Sequence, residues 1–168
     1  MSSYSKQKGK TYERDLAENL SNVFSLPFRR IPNSGAYIGG TNIIKAEELD
    51  SDQIVFYDGD LIVPKELSCF SFEAKFHKDI GKISSWFDGN SIIDDWIKQA
   101  SNTKKKYWLL CFKLNNIGEF VLWNINNLCD IITVGNILIY KNDFKICRLN
   151  WSNGVFNINK EKMLKLNK

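Results

Sequence analysis

The chain has 168 residues, which is enough to bury a sizeable core and predicts one domain. Its composition, 43% hydrophobic and 25% charged, is typical of a globular protein and excludes an intrinsically disordered chain. The formal net charge of +4 is compatible with an acidic partner but does not identify one.

The sequence carries no membrane or export signal. No apolar run is long enough to cross a bilayer and the N-terminus has no signal-peptide pattern, so we expect a cytoplasmic protein without a membrane partner. The four cysteines form no CxxC pair and lie among apolar residues, which favours buried free thiols over a zinc site or disulfides. They are Cys69, Cys111, Cys129 and Cys147.

Residues 1–10 are polar and basic. We expect a mobile arm whose Lys8 and Lys10 can contact phosphates, although an ordinary solvated terminus has the same composition. A helix is predicted from about Thr11 to Phe24, because apolar residues recur there on one stripe. The stripe consists of Tyr12, Leu16, Leu20 and Val23. Glu13 lies at its edge, where the helix dipole also favours an acid.

Residues 25–58 form a long irregular segment broken by prolines and glycines, and such segments are often functional. Within a short predicted strand at residues 28–31, Arg29 and Arg30 can grip phosphate, and the hydroxyl of Ser34 adds a donor. The segment is a candidate for substrate binding or dimerisation. The acidic run at residues 47–52 favours a solvated turn over a metal loop.

Residues 58–63 and 70–76 are two strand-like segments separated by a turn-prone stretch, and they predict a β-hairpin. Because side chains in a strand alternate, Glu73 and Lys75 share one face. Asp60 begins the neighbouring strand, so three ionisable groups can converge. Two adjacent carboxylates suit a hard divalent cation such as magnesium, and Lys75 can hold a water or stabilise developing negative charge. The alternative is a surface hairpin whose charges face water.

Positive charge continues after the hairpin with His77, Lys78 and Lys82, which are candidate substrate contacts. A helix is predicted to begin at an N-cap, Ser91, with Asp94 in the capping-box position, and to run to about Asn102. Its predicted buried face is Ile92, Trp96, Ile97 and Ala100, and Gln99 lies near its C-terminal end. The run at residues 104–106 (KKK) is either a dipole-satisfying cap or part of a phosphate track.

Further strands complete the predicted fold. Residues 107–113 (YWLLCFK) read as a strand buried on both faces, and residues 119–123 as another. A helical turn at residues 124–130, a hairpin around Gly135-Asn136 and short strand-like pieces in residues 143–168 follow. The order of elements predicts an α/β protein with a mixed central sheet flanked by helices.

Taken in order, five segments resemble the PD-(D/E)XK nuclease superfamily, and within it most closely the Holliday junction resolvases of the archaeal and RecU-like type. The segments are KGKTYERDL (8–16), FRRIPNSG (28–35), GDLI (59–62), FEAK (72–75) and the helix bearing Gln99 before a hydrophobic strand. The resemblance covers roughly residues 6–113. It implies a restriction-endonuclease-like core and a homodimeric, magnesium-dependent endonuclease that hydrolyses phosphodiester bonds of branched DNA in recombination and repair, with manganese as a substitute metal.

Carried over by the resemblance, Glu13, Asp60 and Glu73 would hold the metal and Lys75 would position the attacking water. Ser34 would lie near the scissile phosphate, and Gln99 would supply a polar group from the following helix. The usual proline before the aspartate is Gly59 here, and the insert at residues 36–58 is long for a resolvase. The alternatives are a restriction, homing or repair endonuclease of the same fold, an RNA-directed nuclease, and a catalytically inactive DNA-binding protein.

Overall fold

The computed structural model describes residues 3–32, 58–78, 91–128 and 137–167. The helices are α1 (Ser3–Phe24), α2 (Ile92–Ser101), α3 (Ile125–Leu128) and α4 (Val155–Lys165). The strands are β1 (Arg29–Arg30), β2 (Leu61–Ile62), β3 (Phe70–His77), β4 (Tyr107–Leu114), β5 (Gly118–Asn124), β6 (Ile137–Tyr140) and β7 (Phe144–Arg148). A short 3-10 helix, Lys65–Leu67, lies between β2 and β3.

A five-stranded mixed sheet in the order β3-β4-β5-β7-β6 forms the centre of the fold. Strands β3 and β4 pair in parallel, and each of the other neighbouring pairs is antiparallel. Helices pack on this sheet, which confirms the predicted α/β class and is consistent with a restriction-endonuclease-like core. Because β3 is an outer strand, one of its edges is available to a segment outside the sheet.

Two hydrophobic layers cover the two faces of the sheet. On one face, α1 and α4 pack over side chains that include Phe72 of β3. On the other face, α2 packs over Leu110 and Phe112 of β4. Strand β4 therefore contributes buried side chains to both layers, as its continuous apolar run predicted.

Helix α1 begins earlier than predicted. It starts at Ser3 rather than near Thr11, so the prediction of a mobile arm before the helix is wrong for residues 3–10. These residues include no proline, and each residue that joins an existing helix adds a backbone hydrogen bond. The predicted stripe is buried at Tyr12, Leu16 and Leu20, but Phe24 replaces Val23, which is only half-buried, at its end.

The predicted hairpin of residues 58–63 and 70–76 is wrong. Strand β2 pairs with β1, with Arg29 opposite Ile62 and Arg30 opposite Leu61. Strand β3 instead pairs with β4 over eight residues, from Phe70 to His77. The 3-10 helix between β2 and β3 buries Leu67 completely, so this connection is part of the core and not an exposed hairpin turn.

In the second half of the chain, most predicted elements are confirmed, but the elements predicted after β7 are wrong. Helix α2 and its Asp94 capping contact are confirmed, with Ile93 rather than Ile92 fully buried. Strand β5 and helix α3 are also as predicted. The C-terminal region contains α4 where short strands were expected beyond β7, because its buried residues recur with helical spacing. These residues are Val155, Phe156, Asn159 and Met163.

Some predictions fall wholly or partly outside the described residues. The predicted hairpin around Gly135-Asn136 is one of them, because residues 129–136 are not described. The strand after it, β6, forms a hairpin with β7, and Lys141 and Asn142 in the connecting turn have positive φ. Cys111 and Cys147 are buried free thiols, as predicted, whereas Cys69 is free but only half-buried. Cys129 lies outside the described ranges. None of the helices in those ranges combines the length and apolar character needed to cross a bilayer.

Candidate active site at the edge of strand β3

Asp60 is held between β1 and β3 by its backbone and its side chain. Its carbonyl accepts a hydrogen bond from Ile31 N (2.9 Å), and its N–H donates to Phe72 O (2.9 Å). Its Oδ2 accepts from Ala74 N (2.9 Å). The side chain is nearly buried, so these contacts fix one carboxylate at the outer edge of the sheet.

Gly59 allows this close approach. Its φ of +93° is unfavourable for any residue with a Cβ, and a Cβ at this position would lie 2.6 Å from Ser71 Oγ and 2.9 Å from Phe72 O. A proline, whose ring holds φ near −65°, cannot adopt this conformation. The resemblance implies a proline at this position, but the local backbone requires the glycine.

Glu73 and Lys75 lie side by side on one face of β3, as the alternation of the strand predicted. Lys75 Nζ is 2.6 Å from Glu73 Oε1. The register places these two residues opposite Leu110 and Phe112, on the face that α2 covers. Burial, and then the adjacent Asp60 carboxylate, raise the pKa of Glu73, although Lys75 opposes the shift.

Glu13 reaches the same region from α1 and forms an ion pair with Arg30 Nε. Burial, and then the charge of Asp60, raise the pKa of Glu13, whereas Arg30 and Lys75 oppose the shift. Arg30 pairs with Leu61, the residue after Asp60, and Asp60 accepts a hydrogen bond from Ala74, so α1, the Asp60 segment and β3 meet in this region. Arg30, predicted as a phosphate contact, also neutralises a carboxylate of this cluster.

The acidic side chains of this cluster are the possible ligands of a divalent metal. Within the described ranges, no group of three His, Cys, Asp or Glu side chains is arranged to hold a metal ion. Glu13 faces Arg30, and Glu73 faces Lys75. Nevertheless, Asp60 and Glu73 are neighbouring carboxylates, since burial, and then the charge of Asp60, raise the pKa of Glu73. A hard cation bound between two such carboxylates would offset their repulsion, so the chemistry of this pair fits magnesium or manganese.

The other predicted site residues are more dispersed. Gln99 is exposed on α2 and lines a solvent-open depression with Asp95 and Lys98. Lys8 Nζ lies over the ring of Phe76, 5.5 Å from its centroid, close to the end of β3. Lys10, Arg29 and Lys78 are exposed, and Ser34 and Lys82 lie outside the described residues.

One contact beside the site was not predicted. Asp58 Oδ2 accepts hydrogen bonds from Thr103 Oγ1 (2.7 Å) and Lys104 N (2.8 Å), and so ties the segment before Asp60 to the loop between α2 and β4. Its partners are 45 and 46 residues away in the sequence, and no local pattern signals such a contact.

A family model described as "Phage putative PDDEXK endonuclease" matches residues 4–165, which is nearly the whole chain. No curated protein matches the chain, and no solved structure matches it.

Proposed function

The chain belongs to the phage PDDEXK endonuclease family, and from this premise we propose that it is a divalent-metal-dependent DNA endonuclease that hydrolyses phosphodiester bonds. The observation that carries the proposal is the grouping of Asp60, Glu73 and Lys75 at the edge of β3. Such a buried, charged group is unusual for a purely structural strand, because burying charge costs free energy.

Each residue of the group has a proposed role. Asp60 and Glu73 would hold Mg²⁺ or Mn²⁺, and Glu13 would contribute directly or through water. When bound, the metal polarises a phosphoryl oxygen and lowers the pKa of a coordinated water. Lys75, next to Glu73, positions the attacking water and stabilises negative charge on the phosphate. Arg30 balances the charge of Glu13 and is available to a phosphate oxygen.

We further propose that the substrate is branched DNA and that the protein is a Holliday junction resolvase acting as a homodimer. The support is the order of the motifs from residue 8 to Gln99, which resembles resolvases of the archaeal and RecU-like type. Two sites related by a two-fold axis would place paired nicks across a four-way junction.

The test is cleavage of labelled four-way junction, duplex and single-stranded DNA with magnesium. We expect paired symmetric nicks in the junction, and a fall of roughly 10²-fold or more in rate for Asp60→Asn and Lys75→Ala. Glu66→Gln, which removes one charge from an exposed position on the 3-10 helix, is the matched control and should keep full activity. Cutting of duplex at one sequence would contradict the resolvase proposal, as would a monomer in sedimentation.

Metal binding has a separate readout. Magnesium should raise the midpoint of thermal unfolding of the wild type and of Glu66→Gln, because a ligand bound only to the folded state stabilises it. Asp60→Asn should lose most of this increase. Tight DNA binding without cleavage of any substrate, and no effect of magnesium on unfolding, would indicate a DNA-binding protein instead.

A further inference from the structure

Three consecutive lysines lie in the loop that joins α2 to β4. We call residues 104–106 the lysine loop. Lys104 and Lys106 are exposed. The backbone of the loop is nevertheless well anchored, because Asp58 accepts hydrogen bonds from Thr103 Oγ1 and Lys104 N, and Thr103 Oγ1 accepts one from Lys105 N (3.1 Å).

The anchor of the lysine loop belongs to the same segment as the candidate active site. Asp58 precedes Asp60 by two residues, with Gly59 between them. The carbonyl of Asp58 is also 3.5 Å from Ser71 Oγ on β3. One short segment thus presents a carboxylate to the site and, two residues earlier, a carboxylate to the lysine loop. The Asp58 segment therefore helps to set the position of the lysine loop relative to the site, together with the pairing of Tyr107 with the start of β3.

The distance between the loop and the site matches a few nucleotides of DNA. Tyr107, which follows the loop, is in register with Phe70 at the start of β3. Glu73 lies three residues further along β3, and at about 3.3 Å per residue this corresponds to roughly 10 Å. One strand of DNA advances about 3.4 Å per nucleotide along the helix axis, so the end of the loop at Tyr107 lies about three nucleotides from Glu73 and the lysines lie somewhat further away.

Lys105 differs from the two lysines beside it. It is half-buried, and burial lowers its pKa, although the nearby charge of Asp58 opposes this shift. Lys104 and Lys106 remain exposed toward solvent, and each offers an ammonium that a phosphate can approach.

We propose that Lys104 and Lys106 bind the sugar–phosphate backbone of the DNA substrate a few nucleotides from the scissile phosphate, and that Asp58 helps to position them relative to Asp60. The supporting observation is that the active-site segment is hydrogen-bonded to this basic loop through Asp58. It rests on the proposed function, since it assigns a binding role beside that same site.

The experiment measures the affinity for duplex and junction DNA over a range of salt concentrations, with calcium in place of magnesium. We expect the double variant Lys104→Ala with Lys106→Ala to reduce the slope of log K against log salt by about two, and each single variant by about one. Affinity should fall roughly tenfold per lysine at about 0.1 M salt, equally for all sequences. Lys145→Ala, on β7 across the sheet, is the matched control and should leave the slope unchanged.

The role of Asp58 is tested by separating KM from kcat with magnesium. Asp58→Ala should raise KM and leave kcat within about twofold, because the lysines remain but are no longer held in place. Asp58→Asn should have a KM close to that of the wild type, since its amide oxygen can accept the same two hydrogen bonds. A fall in kcat at unchanged KM would overturn the positioning role of Asp58.

Two outcomes separate this inference from the proposed function. A wild type that cuts DNA, with an unchanged salt slope in the double lysine variant, would overturn the lysine-loop inference alone. A wild type that neither binds nor cuts DNA would overturn both. If the double alanine variant unfolds, Lys104→Gln with Lys106→Gln removes the same charges and keeps much of the side-chain length, and the same slope criterion applies to it.

Discussion

Replacing Gly59 by alanine should damage both the stability and the activity of this protein. A residue with a Cβ pays about 1–3 kcal/mol for such a strained backbone conformation, here a φ of +93°. The added Cβ would also lie 2.6 Å from Ser71 Oγ and 2.9 Å from Phe72 O. The hydroxyl can rotate away, but the carbonyl belongs to a strand paired over its whole length. We therefore expect a loss of about 2–4 kcal/mol in the free energy of unfolding.

The loss of activity should exceed the loss of folded protein. Asp60 follows Gly59 directly and is held by Ala74 N, so relief of the strain would displace its carboxylate. A displacement of about 1 Å can lower the rate roughly 10²-fold. Urea denaturation measures the first effect, and cleavage under conditions where the variant is folded measures the second.

A second glycine provides the control. Gly9 lies within α1, where an added Cβ would meet nothing within 4 Å. Gly9→Ala should stabilise the protein by roughly 0.5–1 kcal/mol, because alanine is the better helix former. If Gly59→Ala were as stable and active as the wild type, the proposed close packing of the Asp60 segment against β3 would be refuted. Gly59→Pro, although closer to the family's usual motif, should be at least as harmful.

The remaining predictions concern the contacts that join α2 to β6. Tyr140 OH lies 2.7 Å from Ser91 Oγ and donates to Asp94 Oδ1 (2.9 Å). Tyr140→Phe should therefore lower the free energy of unfolding, measured by urea denaturation, by about 1–2 kcal/mol. An unchanged free energy of unfolding would contradict this prediction. Burial opposes the charge of Asp94, but hydrogen bonds from Lys141, Tyr140 and Ser91 outweigh it and lower the pKa of Asp94. The pKa of Asp94 in the folded protein lies below its unfolded value of about 3.9. The ionised carboxylate therefore stabilises the folded state above that pH, and this stabilisation is lost as the pH falls through the folded pKa. Asp94→Asn should therefore flatten the fall in stability below about pH 4, and identical acid profiles for variant and wild type would contradict the assignment.

Local patterns in the sequence were sufficient for much of the fold. The alternation in β3 put Glu73 and Lys75 on one face, because side chains in any strand repeat every two residues whatever its partner. The apolar stripe of α1 and the capping contact of Asp94 in α2 are equally local. A prediction based on such spacing depends only on the backbone of one element, and these predictions are confirmed.

Local patterns failed where a choice of partner was needed. The turn-prone stretch before β3 suggested a hairpin, but β3 gained eight paired residues with β4. Strand β2 paired with β1 instead. The residues of β2 and β3 suit both the predicted hairpin and the observed pairings. Which pairing forms depends on the burial and hydrogen bonding of the whole fold.

Periodicity and the order of the motifs were enough to predict the class of the fold and the faces of its main elements. Tertiary structure alone decided that Glu13 pairs with Arg30, 17 residues away, and that Asp58 anchors a loop 45 residues away. It also decided the φ of Gly59, because the chain there must pass close to β3. The physical reason is that periodicity specifies how one element presents its side chains, whereas contacts between distant elements depend on how all of them pack together.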